Sequence, residues 1–197
     1  MAKVQFSELW PQLMGLVPVY TRDGVNGTSI LLEKNPALFC EVKTKTMLGR
    51  LCRTFLIDLR LAHRAYSHIC GRRYAVPISL RPGLVMVPVR ARTARVKDDG
   101  TRAYLVKDKI RKYLPEDRRS NMSGTRIVFV NDTSIVVPHR WSNVREVMVA
   151  AELVEREGVK LNGYLVDRIG CEVRENPDSY CCKKCPRRDL CYPEEEE

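Results

Sequence analysis

"YAVPISLRPGLVMVPVRART", Tyr74 to Thr93, holds two apolar runs joined at Arg81-Pro82-Gly83. A Pro-Gly pair between short runs rich in β-branched residues marks a tight turn. The stretch therefore reads as two strands, 74–80 and 83–93, that double back on one another. Pro77 and Pro88 lie inside them. Proline has no N–H to give to a ladder, so edge strands or bulges are expected at both places. A hairpin at this point, in place of a strand–helix–strand crossover, sets the fold class.

The second run continues as "VPVRARTARVKDDG", Val87 to Gly100. Side chains two apart in a strand share a face. Arg90 and Arg92 fall on one side, Val89 and Ala91 on the other, and Arg95 and Lys97 repeat the spacing. A solvated outer face is the ordinary meaning of such a stripe. A rail for a polyanion is the functional one.

Further hairpin signals lie on either side. "TRDGVNGT" (21–28) is a turn-rich loop, and "SILLE" (29–33) and "LFCEVK" (38–43) pair across Lys34-Asn35-Pro36. "DDG" (98–100) turns into a strand at 101–106. Residues 107–124 read as a short helical turn followed by a polar loop. Residues 125–130 and 133–138 form a hairpin across Asn131-Asp132. Between these, 45–70 has helical period: Leu48, Leu51, Cys52, Phe55, Leu59, Ala62, Tyr66 and Ile69 make one apolar stripe. Arg50, Arg53, Arg60 and Arg64 then fall within about 80° of one another on a separate face, and Gly71 ends the helix. A second amphipathic helix starts at Ser142 as N-cap, carries Val144, Val147, Met148, Ala151 and Val154, and closes at Gly158. Residues 164–173 read as a last strand or short helix. The fold class expected is α+β, with antiparallel β-hairpins packed with two amphipathic helices, plus a Cys-rich C-terminal tail. The divisions expected are 1–44, 45–158 and 159–197.

The chain has 197 residues and a formal net charge of +10. Residues 43–73 hold eight Lys/Arg against Asp58 alone, a local +7, and 81–126 hold thirteen against five Asp/Glu, a local +8. The remainder sums to −5, most of it from the terminal "EEEE". Cations concentrated in two blocks attract phosphate backbones through counterion release. No apolar run approaches the ~20 residues that cross a bilayer. The N-terminus lacks a basic region and a cleavage site, so a cytoplasmic protein with no membrane partner is expected.

Eight cysteines are present, five of them in the last 27 residues. Cys182, Cys185 and Cys191 have C-x2-C-x5-C spacing, and Cys171 supplies a fourth ligand. Thiolates this close hold Zn2+ or an iron–sulfur cluster. Lys183, Lys184, Arg187 and Arg188 nearby favour the thiolate form.

From about 45 to 155 the chain resembles the competence transcription factor (ComK) family of Gram-positive bacteria. The residues that carry the resemblance are "LCRTF" (51–55), "YAVPISLRPGLVMVPVRA" (74–91), "YLVKDKI" (104–110) and "TRIVFVNDTSIVVPHRWSNVREVMVAAEL" (125–153). Cys52-Arg53, Pro77-Ile78, Pro88, Tyr104 with Ile110, and the final hairpin leading into a helix match the family's pattern. Val89 and Ala91 stand where the family has Thr and Ser. A bulky helix replaces the small residues after Cys52-Arg53, and a glycine usual in the last hairpin turn is replaced around Asp132-Thr133. The resemblance implies a transcriptional activator of competence or DNA-uptake genes. It would act as a homo-oligomer with the transcription machinery and recognise paired A/T-rich boxes in double-stranded DNA, largely from the minor groove. Arg90, Arg92 and Arg95 are then the groove-entering element, since a narrow A/T minor groove attracts inserted Arg, and Lys97 is a further DNA-binding residue. Lys107, Lys109, Arg111, Lys112, Arg118 and Arg119 are phosphate contacts, joined by Arg140 ahead of a helix start.

A second reading is an iron–sulfur nuclease of PD-(D/E)xK type, some of which end in the same cysteine spacing. Glu41-Val42-Lys43 supplies the Glu-x-Lys half, which must lie on a strand to hold Mg2+, and Asp23 is the upstream carboxylate. A nucleic-acid-binding accessory protein is a third. No P-loop, G-x-G-x-x-G after a strand or G-x-S-x-G is present. Trp10 and Trp141 are expected to be packing residues.

Overall fold

The computed structural model describes residues 4–96, 99–116 and 124–169. The elements in chain order are α1 (Phe6–Leu9), β1 (Leu13–Tyr20), β2 (Asn26–Leu32), β3 (Leu38–Cys40), α2 (Thr44–Thr54), α3 (Leu59–Ile69), β4 (Ile78–Arg81), β5 (Leu84–Arg90), β6 (Arg102–Val106), β7 (Ile110–Glu116), β8 (Gly124–Phe129), β9 (Ser134–Val137) and α4 (Trp141–Ile169). Short 3-10 turns precede β1 and β7. The class is α+β, as the hairpin signals require. Strands pair antiparallel in a six-stranded sheet of order β3-β2-β1-β6-β5-β4 and a three-stranded sheet of order β7-β8-β9. Among the described residues no helix is long and apolar enough to cross a membrane.

The hairpin at 74–93 forms, with Ile78 opposite Met86 and an irregularity between Ser79 and Arg81. β4 is an edge, as Pro77 suggests, but β5 is internal. Pro88 is tolerated because β4 pairs with β5 only as far as Met86. The N–H of Arg90, two residues on and so aimed the same way, turns from β6 and donates to Nδ1 of His139 at 3.3 Å. The donor that proline lacks thus faces a side with no partner strand.

Six consecutive residues of β5, Leu84 to Val89, are buried. Both faces of the large sheet are covered, so neither side of the strand is wet. Leu84 and Met86 join Met47, Leu48, Leu51 and Cys52 of α2 in one core. Val85, Val87 and Val89 join Ile127, Phe129, Val144, Val147 and Ala151 of β8 and α4 in a second. Residues 1–44, set apart on sequence, supply β1–β3, half of the large sheet.

Three expectations need correction. The helix expected over 45–70 breaks at 55–58. Leu56 takes φ +57, and its N–H donates to the carbonyl of Arg53 while that of Ile57 donates to Cys52, both at 3.0 Å. This is a Schellman ending with leucine at the left-handed position that glycine usually fills, at a cost of roughly 1–2 kcal/mol. α3 closes the same way on Gly71, φ +60. The polar loop expected after 109 is instead strand β7 as far as Glu116, an edge where Pro115 costs no ladder bond. Finally, α4 does not stop at Gly158 but runs to Ile169, and Ser142 lies in its first turn while the carbonyl of Arg140 accepts from Val144 N–H.

Candidate nucleic-acid interface

β5 and β6 run out of their buried register together. The last pair is Arg90 opposite Arg102, and both side chains are exposed. Alternation places them on the sheet face of Met86 and Val106, the face that α2 covers. Residues directly opposite across a ladder have Cβ atoms only about 4.5–5.5 Å apart, and like charges there repel. Among the described residues neither guanidinium has an ion-pair partner.

His139 sits behind the pair, half-buried, with Nδ1 accepting from Arg90 N–H. Burial first, and then the charges of Arg90, Arg102 and Arg72, hold its pKa below the ordinary histidine value, with Glu146 opposing. The imidazole is therefore neutral near pH 7. Arg72, just past α3, reaches Glu146 at 3.4 Å. Arg140, next to His139, is exposed. The site thus gathers Arg72, Arg90 and Arg102 about His139, with Glu146 as the acid on Arg72.

The rest of the stripe expected along 90–97 is not a strand. β5 ends at Arg90, and the next residues form a loop tied to the β1–β2 turn. Arg92 lies 3.8 Å over the Tyr20 ring centroid. It donates from Nε to the carbonyl of Gly100 at 2.9 Å and from Nη2 to Asn26 at 2.6 Å. Arg95, exposed, lies 4.4 Å over the same ring. Asp99 accepts from the Tyr20 hydroxyl and from Asn26, and these bonds, led by that of Tyr20, hold its carboxyl below the usual range. Arg92 is therefore a structural tie and does not stand beside Arg90 on one face.

The expected phosphate contacts divide. Lys107 pairs with Glu155 at 2.6 Å, Lys109 with Glu33 at 2.5 Å, and Arg111 with Asp132. Lys112 is exposed on β7, a strand and not the mobile segment its sequence suggests. Lys97, Arg118 and Arg119 lie outside the described residues, as do Cys171, Cys182, Cys185 and Cys191 with the Zn2+ or iron–sulfur site they were expected to form. Cys52 is a core thiol, pushed up by burial to about 11. Glu41-Val42-Lys43 lies in the bend between β3 and α2, not on a strand, and Asp23 in the β1–β2 turn. Trp10 packs edge-on to Phe55 under Arg81, and Trp141 donates its indole N–H to the carbonyl of Tyr113, so both are packing residues.

Arg102, Arg72 and His139 were missed on sequence. The signal was present for Arg102. A hairpin folding back at Asp98-Asp99-Gly100 brings the start of 101–106 against the end of 83–93. Comparison with protein-family models, curated proteins and solved structures returned no match.

Proposed function

We propose that the chain is a ComK-like, DNA-binding transcriptional regulator that recognises A/T-rich duplexes with the Arg90–Arg102 pair entering the minor groove. The observation that carries this reading is the pair itself. Two cations stand side by side on a strand end with no carboxylate partner among the described residues, an arrangement that an anionic ligand stabilises. Arg140 and Lys112 are the phosphate contacts, and Arg95 flanks the pair on a loop fixed by Tyr20. The ComK resemblance supports the same assignment. Asp132, where that family has a glycine nearby, takes φ +62, a conformation glycine adopts without strain.

The test is fluorescence anisotropy with A/T-rich and G/C-rich duplexes of one length at several salt concentrations. Tighter binding to the A/T-rich duplex, with log affinity falling steeply against log salt, is expected. Equal affinity for both duplexes with a flat salt dependence overturns the proposal.

A further inference from the structure

We propose that α2, the turn 55–58 and α3 form a helix-turn-helix unit whose second helix reads the DNA major groove. This rests on the DNA-binding reading above and adds a contact distinct from the arginine pair.

The two helices differ in the manner such a unit requires. α2 buries Met47, Leu48, Leu51 and Cys52 in the core. α3 has no fully buried residue. Leu59, Ala62 and Tyr66 rest on the core, while Arg60, Leu61, His63, Arg64 and His68 are exposed, Leu61 to 69%. An ordinary solvated helix intersperses carboxylates with its cations. α3 contains none, and Asp58 before it is occupied as the N-cap, accepting from the N–H groups of Arg60 and Leu61 at 2.8 and 2.9 Å. Among the described residues no carboxylate lies within ion-pair distance of Arg53, Arg60 or Arg64, and Asp58 alone feels the charge of Arg60. The turn between the helices is short and is held by the Schellman bonds at Leu56, in keeping with a helix-turn-helix connection.

The charge of this face calls for an anionic partner, and its position favours DNA over an acidic protein. α3 leads through Gly71 to Arg72, whose charge reaches His139 beside Arg90 and Arg102. The arginine pair leaves the sheet on the side that the helices cover. The C-terminal end of α3 therefore leads toward the arginine pair. Side chains near the start of a recognition helix contact base edges. Arg60 and Arg64, one turn apart, can reach purine N7 acceptors, and Leu61 suits the thymine methyl.

The experiment starts with the full-length chain and a duplex enriched by it from a random-sequence pool. The duplex is remade with 7-deazapurines, which removes the N7 acceptors from the major groove and leaves the minor groove unaltered. Wild-type affinity is expected to fall about tenfold or more. Arg60→Ala/Arg64→Ala is expected to bind the parent duplex more weakly, to lose little further on the deaza duplex, and to melt like wild type. Equal wild-type affinity for both duplexes overturns the inference and needs no variant. Unchanged binding by the double variant also overturns it and assigns the face to a protein partner. If no duplex is enriched, the DNA-binding reading itself fails, an outcome distinct from enrichment without deaza sensitivity.

Discussion

Arg102→Gln separates a ligand-binding pair from a structural one, because the two roles predict opposite signs in two measurements. The substitution keeps the length and stem of the side chain and removes its charge. Directly opposed like charges on a ladder cost roughly 0.2–1 kcal/mol. Both guanidinium groups are exposed, so solvent and salt hold the effect to the lower half of that range. For a protein of this size about 0.5 kcal/mol corresponds to a melting point about 1–2 °C higher. DNA affinity should move the other way. Losing one backbone contact lowers the slope of log affinity against log salt by about 0.9, and a base-reading Arg adds a loss of roughly 1–3 kcal/mol on the preferred duplex. Thermal melting and anisotropy from 50 to 200 mM salt, which are ordinary assay conditions, measure both. A lower melting point with unchanged DNA affinity would show that Arg102 has an internal partner and would refute the reasoning.

Other substitutions probe the parts around the site. Leu56→Gly should raise stability by about 0.5–1 kcal/mol in chemical denaturation, since Leu56 is 96% exposed and gives up only left-handed strain; a loss would show that its side chain has a packing role. His139 binds a proton more readily unfolded than folded, so stability present above about pH 6.5 should be lost as pH falls below it. His139→Asn keeps an acceptor for Arg90 N–H and should flatten that dependence between pH 7.5 and 5.5, a window above those of Glu33, Asp58 and Asp99, whose lowered pKa values act near pH 4 and below. A Cβ added at Gly15 would lie 2.7 Å from Leu105 Cδ2 and 3.1 Å from the carbonyl of Tyr104. Gly15→Ala should therefore destabilise by about 1–3 kcal/mol, and a neutral result in denaturation would mean that β1 and β6 can part locally.

What the sequence made legible was local. Arg81-Pro82-Gly83 and Asn131-Asp132 specify their turns by backbone preference, and both hairpins form where those residues place them. The break at 55–58 was hidden because leucine, not glycine, takes the left-handed position. The apolar stripe also survives the break: Phe55, Leu59, Ala62 and Tyr66 still rest on the core that buries Leu48 and Leu51. The arginine face of the same segment does not survive, since Arg53 and Arg60 now belong to different helices. Arg92 misled for another reason. The groups that hold it, Tyr20 and Asn26, lie on strands far away in sequence. The local charge of 81–126 misled likewise, because Glu155, Glu33, Asp132 and Glu116 take up Lys107, Lys109, Arg111 and Arg126. Counting along the chain places the excess charge broadly across the block. Pairing across the fold takes up Lys107, Lys109, Arg111 and Arg126 and leaves Arg90, Arg102 and Lys112 among the exposed cations without a carboxylate in the described residues, so a loss of binding on neutralising Lys109 would have to come through Glu33 and not through a phosphate.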